Sequence, residues 1–198
     1  MLSHRDGQDG FTELLVTAHK GVDLHAATAR RVMRDRLLGG DRLADLRRCE
    51  FHAFGGPVRG GGPRLADLLA TGRFFNPNKH RHGHFELSAP FAWTTGTGEG
   101  FPVGWPGGAD GAAAATARGA LNELLGGPAP AGRTAVDVAA WARGQEGPII
   151  SGTLWRLVIA GTPESALESA RLLAVARGGR EGLLVNPHME CWLLAAGD

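Results

Sequence analysis

The chain has 198 residues, 43% of them hydrophobic, so one domain can bury a substantial core. Its 21 basic and 20 acidic side chains nearly cancel, which argues against a nucleic-acid coat or a strongly acidic partner surface. No run approaches the roughly 18 apolar residues of a membrane span, and the polar start MLSHRDGQDG lacks a signal-type apolar stretch; a soluble cytoplasmic chain with Cys49 and Cys191 as reduced thiols is expected.

From the N-terminus, FTELLVTAHKG reads as a short helix or strand. Asp23 can cap a helix over LHAATARRVMRDRLLGG, with Leu24, Ala27, Val32, Leu37 and Leu38 on its inner stripe and Gly39-Gly40 as its stop. A short helix is expected over DRLADLRR. CEFHAF alternates as a strand, with Cys49, Phe51 and Ala53 on one face and His52 and Phe54 on the other. PRLADLLATG reads as a helix ended by Gly72.

RFFNPNKHRHGHFELSA follows as strand, with a bend at the NPN turn and at Gly83. Residues 94–111 read as a connector or lid against which Trp93 and Trp105 pack. Helices are expected from Ala112 to Leu125 and from about Thr134 to Gly144, so that residues 95–150 form a helical insertion in a single domain spanning 1–198. TLWRLVIAG reads as a buried strand. Thr162 and Pro163 open a helix whose stripe is Ala166, Ala170 and Leu173, and the chain ends in a strand kinked at Asn186-Pro187.

An internal echo connects these pieces. FHAF, RLADLLATG and FFNPNKHRHGHFEL repeat as LWRLVIAG, PESALESARLLAVARG and LLVNPHMECWLL. Each is strand, helix, strand, and each closing segment carries Asn-Pro. The expected fold class is α+β: two βαβ units in a ferredoxin-like antiparallel sheet, with helices on one face and one face left open.

The closing segments also carry the candidate chemistry. Alternation puts His80, His82, His84 and Glu86 on one strand face; imidazole and carboxylate are ligands for zinc, iron, nickel or copper. His80 and His84 would lie about 13 Å apart along a straight strand. A transition metal would therefore need a kink or a ligand from elsewhere, and His188 with Glu190 in the second segment can supply one. On this reading the chain is a histidine-centred metal enzyme or enzyme-like subunit, with His84, His188 and Glu190 in catalytic roles.

A different use of the same stretch is anion binding. Asn78, Lys79 and Arg81 form a basic turn to which Arg73 adds charge, suited to a phosphate or carboxylate. A third reading makes the chain an accessory subunit or homo-oligomer that meets a protein partner through its open sheet face. Nucleic acid fits less well, because Phe74 and Phe75 are adjacent strand residues that face opposite ways. Cys49 and Cys191 fall on apolar faces and read as core.

Overall fold

A computed structural model of the chain describes residues 11–55, 65–91, 97–99, 105, 112–145 and 149–197. In chain order these form β1 (Phe11–His19), α1 (Leu24–Arg36), β2 (Leu43–Gly55), α2 (Leu65–Ala70), β3 (His80–Phe91), β4 (Thr97–Glu99), α3 (Ala112–Leu124), β5 (Arg133–Ala142), β6 (Ile149–Ala160), α4 (Pro163–Ala174) and β7 (Glu190–Gly197). The fold is α+β, built on one seven-stranded sheet in the order β3-β1-β2-β6-β5-β7-β4. Every strand pairing is antiparallel except the short parallel one of β4 with β7.

That order is not the one expected of tandem βαβ units in a ferredoxin-like sheet. The two strands of each unit are split, as in ferredoxin-like units, but by a strand of the same half and not of the other unit: β1 stands between β2 and β3, and β5 between β6 and β7. Nor do the helices share one face. Alternation along β5 sends Ala139 and Trp141 into a core with Leu121 and Leu125 at α3, and sends Val136, Val138 and Ala140 into a second core with Ala26 and Met33 of α1 and Ala166, Ala170 and Leu173 of α4. The sheet is thus buried between two layers, the α3 side and the α1/α4 side.

Burial on both sides also explains where segments read as helices are strands. In β5 the run from Ala135 to Trp141 is buried throughout, so it shows no polar alternation. The sequence TAVDVAAWA therefore passes for helix, yet it is an inner strand of the sheet. DRLADLRR likewise contributes only a 3-10 turn at Gly40–Arg42 before β2 begins at Leu43. FTELLVTAH is strand β1, with Leu14, Leu15 and Val16 fully buried.

The helix ends follow ordinary capping. The Asp23 carboxylate accepts from the backbone N–H groups of His25 and Ala26 at 2.9 and 3.1 Å, and Thr162 with Pro163 opens α4. In α1 the buried residues are Ala26 and Met33, and of the expected leucines and valine only Leu37 packs, partly buried, against the same core. Leu24 is 73% exposed, and Val32 and Leu38 also reach the surface. Among the described residues no helix is long and apolar enough to cross a membrane.

The internal echo is a duplication in three dimensions. The units are β1-β2-α2-β3 and β5-β6-α4-β7, and the Asn-Pro turns match bond for bond. The Asn76 carbonyl accepts from the N–H groups of Lys79 and His80, as that of Asn186 does from Met189 and Glu190. The Asn76 side chain accepts from Asn78 N–H, and that of Asn186 from His188 N–H. Lys20 Nζ donates to the Pro77 carbonyl; the Arg143 guanidinium donates to that of Pro187.

These anchors fix the equivalences along the strands. His80 corresponds to Glu190, and through their pairings His19 corresponds to Ala142, Ala18 to Trp141 and Cys49 to Gly152. Glu50 then corresponds to Thr153. These two face one another across the central β2–β6 ladder, so a pseudo-two-fold axis passes between them.

Candidate functional site

The strand order separates the residues grouped by the metal reading. His80, His82, His84 and Glu86 lie on β3 at one side of the sheet, whereas His188 and Glu190 lie at β7, with β1, β2, β6 and β5 between. Four intervening strands put them about 24 Å apart at the usual strand spacing. Among the described residues no three His, Cys, Asp or Glu side chains converge as a metal-binding group.

Several of these residues have structural partners instead. The Glu190 carboxylate accepts from Asn186 N–H at 2.7 Å, and His80 Nδ1 stands 3.5 Å from the equivalent Asn76 nitrogen. His80 thus occupies the turn position that Glu190 fills in the second half. Its ring meets His19 edge-on at 4.9 Å between centroids, and partial desolvation, then the neighbouring His19 charge, push it below the ordinary imidazole range. His82 packs against Phe75, and His84 Nε2 lies 3.4 Å from Glu13. Glu86 is exposed opposite Glu13 on β1. His188 and Glu190 line a separate open groove of about 480 Å³ with Arg177 and Leu183.

The basic turn is also divided. Asn78 and Lys79 serve the Asn-Pro turn through their backbone, and Arg73 lies over the Phe74 ring at 5.5 Å. Arg81 alone of that group turns to the α3 side of the sheet. There it enters a cavity of about 350 Å³ at the end of β1, also lined by Ala18, Val22, Ala26, Arg30, Asp45, Leu46, Arg47, Arg48, Leu124 and Gly126. Four arginines face two aspartates, Asp23 and Asp45, in this lining.

Three of the arginines are compensated. Asp45 takes Arg30 on one oxygen and Arg47 on the other, each at 2.7 Å. Arg48 pairs with Glu50 at 2.8 Å and lies 3.6 Å from Asp23. Among the described residues, no carboxylate stands within ion-pair distance of Arg81, whose guanidinium instead donates to the Leu124 carbonyl at 3.4 Å. The buried Cys49 thiol is pushed up to about 12, mainly by desolvation and then by Asp137, while Arg156 and Arg81 oppose the rise. Gly126 takes φ +90°, a backbone conformation that L side chains rarely adopt, where the chain after α3 passes Arg47.

The duplication shows what distinguishes this corner. In the second half the positions equivalent to Ala18, Arg81 and Arg47 are Trp141, Cys191 and Ile150. All three are buried, at 2%, 2% and 3% exposure, and belong to the apolar core on the α3 side. One half thus seals this corner with an indole; the other opens it with a methyl group and flanks it with two guanidinium groups. No protein-family model, curated protein or solved structure matches the chain.

Sequence reasoning reached Arg81 but missed Ala18, Arg47, Arg30 and Asp45. An alanine carries no signal alone. It becomes informative only when strand pairing sets it against Trp141.

Proposed function

We propose that the chain binds a small anionic ligand in the cavity over Ala18, with Arg81 as the principal contact and Arg47 and Arg30 beside it. The observation that carries this reading is the divergence of equivalent corners: Trp141, Cys191 and Ile150 in one half, Ala18, Arg81 and Arg47 in the other. Packing alone favours the sealed version, because filling the corner removes apolar surface from water. A guanidinium without a carboxylate partner, at the wall of a cavity, offers a planar fork to phosphate or carboxylate oxygens. The geometry favours this over a metal centre, since the ligands that centre needs together lie on opposite sides of the sheet.

Titration calorimetry with inorganic phosphate, at low ionic strength and neutral pH, tests the reading. The expected result is saturable one-to-one binding, weakened at least tenfold in Arg81→Gln, the cost of one charge-assisted hydrogen bond or more. Ala18→Trp, which copies the second half, should abolish binding while the far-ultraviolet spectrum is unchanged. Absence of binding to phosphate, sulfate, pyrophosphate and citrate alike would sink it.

A further inference from the structure

We infer that two copies of this chain pair edge to edge along β3, antiparallel about a two-fold axis, with Glu86 of each copy set against a histidine of the other. The inference is independent of the anion-binding reading. It starts from a second difference between the halves. On β7 the stretch 192–194 is covered by β4, which pairs with it over Thr97–Glu99. The equivalence of His80 with Glu190 makes 82–84 the matching stretch of β3. β3 is the terminal strand of the sheet, so among the described residues no strand covers that stretch.

The ladder to β1 fixes what this edge presents. Lys20 N–H donates to the Lys79 carbonyl, and the same register runs on to Glu13 opposite Glu86. Bonded positions alternate with non-bonded ones in an antiparallel pair. Arg81, Gly83 and Phe85 therefore bond β1, while His80, His82, His84 and Glu86 turn their backbone groups outward. The His80 N–H is already used by the Asn76 carbonyl. The remaining outward donors and acceptors are a template for a further strand.

The side chains of the outward row point to a second copy as that strand. The row reads His, His, His, Glu and holds no lysine or arginine, so it lacks the cations that commonly keep strand edges apart. A two-fold pairing of one strand with itself is antiparallel and stops at two chains. Bonded positions must face bonded positions, so Glu86 meets the partner's His80, His82 or His84, according to register. In the single chain the exposed Glu86 instead lies opposite Glu13, and among the described residues no cation pairs with it. Like charges directly opposed weaken a strand pair, whereas an imidazole N–H donates to a carboxylate.

Sedimentation velocity of the full chain over a range of concentrations tests this, and the expected result is a reversible equilibrium between monomer and dimer. His82→Pro removes an outward N–H from both edges and leaves the β1 ladder intact, so dimer affinity should fall about tenfold or more with the far-ultraviolet spectrum unchanged. Glu86→Lys should weaken the dimer severalfold. Adding His80→Glu, His82→Glu or His84→Glu to Glu86→Lys should restore it in one of the three cases, and that case gives the register. A monomer throughout, an assembly larger than two, or a dimer indifferent to His82→Pro and Glu86→Lys would overturn the inference. So would a loss in Glu86→Lys that none of the three changes repairs. If His82→Pro does not fold, Glu86→Lys and its rescue decide alone.

Discussion

Asp137 and Arg156 are buried charges on the α3 side of the sheet, on neighbouring strands and directly opposed in the β5–β6 register. Their two parallel bonds, both 2.7 Å, satisfy the carboxylate with the guanidinium fork, and the remaining Arg156 nitrogen reaches the Gly127 carbonyl at 3.4 Å. Arg156 pairs in turn with Arg47 across β2–β6, so the fork lies one strand inward from the proposed anion site. Asp137 neutralises the deeper of these two arginines and leaves the outer one to share Asp45 with Arg30. Removing one member of a buried pair strands the other charge, which costs about 3–5 kcal/mol. Asp137→Ala is therefore expected to lower stability by that amount in urea unfolding, and Asp137→Leu combined with Arg156→Leu should recover most of it. Equal loss in the single and double variants would show that the pair matters through packing alone.

At the scale of elements, the Asn-Pro turns are the clearest case of sequence pattern becoming structure. Each closing strand was legible, and so was the break ahead of it. Its structural role was legible too: Asn before Pro can bond its own backbone and initiate a turn, and that turn hands the chain into β3 and into β7. His188 falls in the turn itself, and His80 takes the place of a structural glutamate. Strands with one polar face, such as the end of β3, were visible through alternation. β5 was not, because both of its faces are covered and its pattern loses the period of two. In α1, alanines and a methionine fill the interface, so the larger aliphatic residues misdirected the choice of inner stripe. If the two turns are equivalent elements, Asn76→Ala and Asn186→Ala should each cost about 1 kcal/mol, the worth of one side-chain-to-backbone bond. Separated by the width of the sheet, they should add in the double variant. Chemical denaturation of the three proteins measures this, and a much larger effect at one turn would break the equivalence.

For the whole molecule, the pseudo-two-fold raises the question of whether the halves are independent. The sheet runs through the axis without a gap, since β2 and β6 pair over eleven positions at the centre. Both cores also cross it. The core on the α3 side joins Leu14, Val16 and Phe51 of the first half to Trp141, Leu154 and Cys191 of the second. The other joins Ala26, Met33, Leu43 and Leu46 to Val136, Leu157 and Leu173. The candidate site shares this property in part: its lining lies in the first half and in α3, but its meaning is readable only against the second half. That is why the sequence alone revealed an arginine and no cavity. A chain built this way should unfold as one unit, because neither half retains a closed core once the other opens. Thermal unfolding followed by far-ultraviolet circular dichroism and by the fluorescence of its tryptophans, among them the buried Trp141 and Trp155, is expected to give coincident single transitions. A fragment spanning residues 131–198 should by itself show no cooperative transition, since it lacks α1, α3 and the strands that complete both cores. Two separated transitions in the full chain, or a cooperatively folding fragment, would instead make the halves autonomous domains joined at the β2–β6 ladder.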